Sequence, residues 1–289
     1  SMIAIPWYFV EIVNRPETFA TAYFIITFLT LFWGLYAGTL IDRYSRKTIF
    51  IIVNTICGCF ICSVAIFGFQ NLSLPDILVI FVFGITIFNY NIHYPNLYAF
   101  GQEITEKSNY GKLNSYIEVQ GQVTSVLAGA FAAILLTGTV GNSLEIGGVL
   151  FQLPFSIEPW TIYEVFLLDA ITYLFVILLF IMMSYHSIAN DKIHKGNVLS
   201  RFIKGLNYLK KHPVIFVFGL ASYMLFAFTL VEIHVLLPSY VHNFLNMDGN
   251  VYASAEIYYS FGAIFSGVLI LRIFRKLDSV VGVILLMAL

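Results

Sequence analysis

The chain has 289 residues, 59% hydrophobic and 11% charged, with a net charge of −1 and a mean hydropathy of +0.85. A soluble domain carries about 45–50% apolar and about 25% charged residues, so these values exclude a soluble globular enzyme and a disordered chain. No basic excess is present to neutralise phosphates, which excludes a nucleic-acid binder and leaves an integral membrane protein.

In chain order, residues 1–10 (SMIAIPWYFV) are apolar but cover only about half of a ~30 Å bilayer core. They read as the end of a first span whose start lies outside the sequence. Uncharged runs follow at 18–41, 48–75, 77–102, 119–144 and 170–190, then at 213–231 and 257–271, which extend past Glu232 and Glu256. These runs predict seven full membrane helices, spans 2 to 8. Residues 279–289 (SVVGVILLMAL) are apolar again and read as the start of span 9. Cys57, Cys59 and Cys62 lie inside one apolar run, so they read as small packing residues and not as a disulfide framework or a metal site.

Two connections differ from the short loops. Residues 138–160 are long and mostly apolar and are expected to lie against the membrane surface. Residues 186–212 are basic, and Leu199, Phe202, Ile203, Leu206 and Leu209 recur at helical spacing among Arg201, Lys204, Lys210 and Lys211. This pattern predicts an amphipathic interfacial helix. The implied domains are a six-helix half over 1–185, this linker over 186–212, and a partial second half over 213–289. Alternating loops place 14 of the 15 basic residues on one side, leaving only Arg15 on the other. By the positive-inside rule the basic side is cytoplasmic.

An internal repeat decides the class. Residues 38–47 (GTLIDRYSRK) and 267–276 (GVLILRIFRK) align Gly38, Leu40, Ile41, Arg43, Arg46 and Lys47 with Gly267, Leu269, Ile270, Arg272, Arg275 and Lys276. Both copies end an inward-running span, so the halves share one orientation, the parallel arrangement of two-half secondary transporters. The run Gly38-x-x-x-Asp42-Arg43-x-x-Arg46-Lys47 resembles the loop between helices 2 and 3 of the major facilitator superfamily. Its second copy stands where that family has one, between helices 8 and 9. Ser45 replaces the family's glycine, and Leu271 replaces the acidic residue of the second copy. The resemblance implies an all-α polytopic fold of two six-helix halves, here with a partial helix 1, helices 2–8 and the start of helix 9. It also implies that this loop latches the cytoplasmic side. Gly34 and Gly38 form a GxxxG step that permits close helix approach in lipid.

Within the superfamily, His93-Tyr94-Pro95-Asn96-Leu97-Tyr98-Ala99, Leu168-Asp169-Ala170, Gly205-Leu206-x-Tyr208-Leu209 and His212-Pro213 resemble the macrolide-efflux and siderophore-export branch. The antiporter motif of helix 5 is reduced to Gly121 and Gly129, and helix 4 lacks the arginine of the proton-relay motif.

Ionisable groups inside spans are costly and mark function by default. Glu11, Glu118, Glu164, Asp169, Glu232, Glu256, His93 and His234 qualify. Glu232 and Glu11 fall near the outer end of helices that the resemblance implies line the cavity, so they are the first candidates for proton coupling. Asp169 and Glu256 follow. On helix 4, Asn89, His93 and Asn96 are spaced i, i+4, i+7 and share a face beside Tyr90, a candidate substrate-contacting stripe. No enzymatic motif, nucleotide loop or cofactor signature is present.

The expected function is therefore proton-coupled export of an amphipathic small molecule (drug, macrolide or siderophore-like). Its setting would be a bacterial cytoplasmic membrane, and the protein would act as a monomer without metal or cofactor. Uptake of a metabolite, and a non-transporting sensor or assembly role, stay open as alternatives.

Overall fold

The computed structural model describes residues 1–139, 143–146, 149–152, 154, 156–185 and 198–273. Its helices are α1 (Ala4–Glu11), α2 (Pro16–Arg43), α3 (Arg46–Asn71), α4 (Asp76–Ile104), α5 (Tyr110–Thr137), α6 (Ile162–Met182), α7 (Val198–Lys211), α8 (Pro213–Val231), α9 (Leu237–Ser239) and α10 (Gly249–Ile273). α2 to α6 are long and apolar enough to cross a bilayer. α8 and α10 cover the runs predicted as spans 7 and 8, and α7 covers the amphipathic second half of the predicted 186–212 linker, whose residues 186–197 lie outside the described ones. The fold is a polytopic helical membrane protein. It divides into two compact units, Ser1–Ile117 with Pro159–Phe202, and Glu118–Glu158 with Ile203–Leu289.

In the first unit the helix ends follow their local chemistry. α2 opens with Pro16 at its first turn and Glu17 beside it, one needing no amide partner and the other favoured by the helix dipole. α6 opens with a capping box. The Thr161 amide and hydroxyl both donate to Glu164 at 2.7 Å, which assigns this span carboxylate to helix capping. Arg15 Nη1 lies 3.3 Å from Asp76 Oδ2, in the first turn of α4. The single cation outside the basic loops is thereby matched by a carboxylate.

α3 and α6 pack antiparallel along their length. Phe50 stacks on Phe180 at 4.4 Å, Gly58 meets Tyr173, and Gly68 meets Tyr163. A Cβ on Gly58 would lie 2.9 Å from Tyr173 Cβ, and one on Gly68 would lie 2.5 Å from Tyr163 Cβ. The two helices close on these hydrogen-only positions, as small residues allow in lipid. Cys57 and Ala65 are buried on the same helix, whereas Cys59 is exposed. Large apolar side chains such as Phe24, Phe28, Phe32, Phe175 and Leu179 remain exposed. An apolar surface of that extent belongs in a lipid solvent.

The second unit holds a departure from the sequence reading. Within the 138–160 segment, β1 (Ser143–Ile146) and β2 (Val149–Gln152) pair antiparallel, with Ser143 opposite Gln152 and Ile146 opposite Val149. The short runs Ser-Leu-Glu-Ile and Val-Leu-Phe-Gln on either side of Gly147-Gly148 are a hairpin signal in the sequence that overall hydropathy conceals. The segment is closed at its base by Thr139 and Ile157, whose amides donate to the Ile157 carbonyl and the Thr139 hydroxyl, both at 2.8 Å. Span 7 also runs further than predicted. Beyond α8 the chain continues through two π-helical turns, Glu232–Leu236 and Tyr240–Phe244, on either side of α9. Pro238 has no N–H for the fourth carbonyl back. The Leu237 amide donates to the Glu232 carbonyl, five residues away, and Leu245 donates to Tyr240 in the same way.

Candidate functional site

The connection from α2 to α3 is only Tyr44-Ser45, so Arg46 and Lys47 are the first residues of α3. Cations there oppose the positive end of the helix dipole and need compensation. Arg46 Nε lies 3.4 Å from Glu103 Oε1 near the end of α4, a charge contact without hydrogen-bond alignment. The Tyr185 hydroxyl donates to the other Glu103 oxygen. Lys47 Nζ donates to the Met183 carbonyl at 2.6 Å and the Ile181 carbonyl at 3.2 Å, capping the C-terminal end of α6. Asn96, fully buried on α4, donates from Nδ2 to the Arg46 carbonyl at 2.9 Å. The start of α3 and the ends of α4 and α6 are thus fastened at one end of the unit. Directly beneath, Ala37, Ile41, Ile49 and Ile92 form a buried apolar cluster, and Phe100 packs against Tyr185 at 5.0 Å. Asp42 and Arg43 stay exposed at the end of α2.

Mid-span, the predicted helix-4 stripe divides. The Asn89 carboxamide donates to Asn54 Oδ1 of α3 at 3.3 Å and to the Tyr173 hydroxyl of α6 at 3.2 Å. His93 packs edge-on against Phe50 at 5.2 Å. Asn89, Tyr90 and His93 line a cavity of about 260 Å³ together with Asn54, Thr86 and Tyr173. Asn96 belongs to the loop fastening instead. Hydroxyl, carboxamide and imidazole groups without a formal charge suit a neutral hydrogen-bonding guest. A larger groove of about 710 Å³ follows α2 and α4. Ile25, Leu29, Ile80 and Phe81 are typical of its lining, and Glu17, Thr18 and Thr21 supply its polar groups.

The family model of the Major Facilitator Superfamily matches residues 1–289. The chain belongs to this superfamily. No curated protein and no solved structure matches it. Superfamily members are membrane transporters, and the multi-pass helical chain is a transporter of that fold.

The remaining predicted residues take varied positions in this superfamily protein. A Cβ at Gly34 or Gly38 would meet nothing within 4 Å, so the GxxxG step packs against none of the described residues. Gly267 and Arg272 lie on the α10 backbone, whereas Arg275 and Lys276 fall outside the described residues. Glu11 ends α1 and is exposed. Asp169 accepts a hydrogen bond from the Ser1 hydroxyl, and its backbone carbonyl accepts one from Thr172 Oγ1 at 2.7 Å. Glu232, exposed, opens the first π-turn. Glu256 lies within α10, with its side chain outside the described set. Among the described residues no His, Cys, Asp and Glu group is arranged to hold a metal ion.

Sequence reasoning passed over Glu103, Tyr185, Asn54 and Tyr173. Glu103 carried a signal, an acid one residue before the end of a helix, where the dipole disfavours it. The other three are ordinary polar residues whose roles arise from packing alone.

Proposed function

We propose that this superfamily protein exports an amphipathic small molecule by alternating access, driven by the proton gradient of a bacterial cytoplasmic membrane. In this reading the basic loops are cytoplasmic and the protein works as a monomer. Residues 1–185 and 213–289 belong to its two halves, and 186–212 is the linker between them. The observation that carries the mechanism is the fastening of Arg46 to Glu103 and Lys47 to the end of α6. It ties three helix ends into one body, as rocking requires, and it uses the two inner cations of the loop while Asp42 and Arg43 stay exposed. Gly38, Asp42 and Arg43, with the second copy at Gly267, Arg272, Arg275 and Lys276, then act as the latch that biases the two states.

The uncharged lining of the Asn89–Tyr90–His93 cavity supports a neutral or weakly charged amphipathic substrate. The resemblance to the macrolide-efflux branch supports export. Glu232 is the first candidate for the coupling proton, followed by Glu11, Asp169 and Glu256. Proteoliposomes with an imposed pH gradient and a panel of macrolides and lipophilic dyes test the reading, with outward accumulation expected only when the gradient is present. Gradient-driven inward accumulation of a metabolite would replace export with uptake. No flux of any compound would favour the sensor or assembly reading.

A further inference from the structure

The linker helix α7 carries none of the site residues described above, yet its exposed faces are strongly asymmetric. From Lys192 to Val231 the chain has six cations and no acidic residue. With about 100° per residue, Ile203, Leu206 and Leu209 share one side of α7. Lys204, Tyr208 and Lys211 share the opposite side, and Lys210 lies within the apolar arc near its end. Ile203 is 48% and Leu206 40% exposed, so the apolar side is open.

The helix cannot be remote from the membrane. α7 ends at Lys211 and α8 starts at Pro213. His212 between them has φ −124 and ψ 70, outside the helical region, so the axis turns at this one residue. The corner is fixed by the His212 amide, which donates to the Tyr208 and Leu209 carbonyls at 3.1 Å each. The Tyr208 and His212 rings also lie 4.3 Å apart. α8 is an uncharged apolar helix over Pro213–Val231, which the sequence reads as the seventh span. On that reading the last turn of α7 lies at the headgroup level, where an open apolar side meets acyl chains and lysines snorkel to phosphates.

We infer that α7 docks its Ile203–Leu206–Leu209 side on the bilayer and that Lys204, Lys210 and Lys211 hold anionic phospholipid headgroups. The occupant is an anionic lipid surface because the segment is purely cationic and continuous with a membrane span. A zwitterionic surface would satisfy the apolar side alone.

The test places a nitroxide at Leu206 or at Asn207 of the whole protein. Cys59 and Cys62 are replaced, and the buried Cys57 is kept. Accessibility to oxygen and to a nickel chelate is measured in nanodiscs of phosphatidylcholine with and without phosphatidylglycerol. The expected result is a label at Leu206 buried from nickel with phosphatidylglycerol present and shifted toward water without it, while the label at Asn207 stays at the surface. Lys204→Glu, Lys210→Glu and Lys211→Glu should each lower occupancy of the anionic surface by about fivefold at low salt. Unchanged circular dichroism shows that these exposed positions leave the fold intact. Equal burial of Leu206 in both lipids would overturn the headgroup claim. Solvent exposure at both positions in the anionic discs would overturn docking altogether. The lipid comparison uses native charges, so it stands even if a charge-reversed variant fails to fold.

Discussion

Arg46 and Glu103 each sit at the helix end that disfavours their charge, and they meet across 3.4 Å. Arg46 is the first residue of α3 and Glu103 the last but one of α4, so both dipole interactions are unfavourable until the pair forms. Exchanging the residues keeps the attraction and reverses both dipole conflicts. The Arg46→Glu/Glu103→Arg double variant should therefore melt no lower than the parent in detergent. Arg46→Glu alone should lose on the order of 1–3 kcal/mol, because two carboxylates then share a half-buried site. Thermal unfolding of the four-member cycle checks this, and a double variant weaker than both singles would refute the pairing. If the swapped protein is stable but transports poorly, the native orientation serves the gate and not the fold.

Lys47 makes a narrower prediction. Its ammonium group caps the Ile181 and Met183 carbonyls, an interaction between a cation and a helix C-terminus worth about 0.5–1 kcal/mol at a partly exposed site. Lys47→Met should leave global melting nearly unchanged and raise amide exchange in the last turn of α6. Lys47→Arg should restore protection. Equal exchange in all three proteins would show that the cap is not formed in the bilayer.

The glycines separate scaffold from latch. At Gly58 and Gly68 an added Cβ would press on Tyr173 and Tyr163, so Gly58→Val and Gly68→Val should each destabilise by roughly 1–3 kcal/mol through overpacking. At Gly34 and Gly38 the same methyl meets nothing, and Gly→Ala should hold or raise the melting temperature through about 1 kcal/mol of helix propensity. A transport defect in Gly38→Ala with undiminished stability would place that surface in the moving contact. Normal transport in the same variant would remove Gly34 and Gly38 from the latch.

The spans were legible because lipid demands uninterrupted apolar helices, and runs such as 77–102 reappear almost unchanged in α4. The loop motif was legible as a repeat of unusual residues, but its partners were not. Nothing in the sequence pairs Lys47 with backbone carbonyls of α6, or Asn89 with Asn54 and Tyr173, since those contacts depend on how three helices are laid side by side. Periodicity correctly grouped Asn89, His93 and Asn96 on one face. It could not tell which neighbour that face would meet, and Asn96 was claimed by the Arg46 carbonyl. The pairing of 143–146 with 149–152 was hidden for a different reason, because the apolar content of 138–160 pointed to the membrane surface and said nothing about strands.

Glu232 joins the coupling hypothesis to the one irregular part of span 7. Its carbonyl accepts the Leu237 amide across five residues, and Pro238 keeps this stretch from relaxing into a regular helix. Such π-turns often mark functional positions, because one carbonyl and one side chain are turned away from the regular helical array. Glu232→Gln preserves shape and removes the titrating group. It should abolish gradient-driven accumulation in proteoliposomes while leaving downhill equilibration of the same substrate within about twofold of the parent, since general uncoupling spares a binding site. Loss of both activities would make Glu232 a folding or binding residue. Full accumulation would transfer the coupling role to Glu11, Asp169 or Glu256, each tested by the corresponding amide. Pro238→Ala provides the companion measurement. Restoring an N–H permits the regular α-helical bond to the His234 carbonyl, so the variant should be as stable as the parent or more so. If the irregularity serves the transport cycle, its turnover should fall even with Glu232 intact.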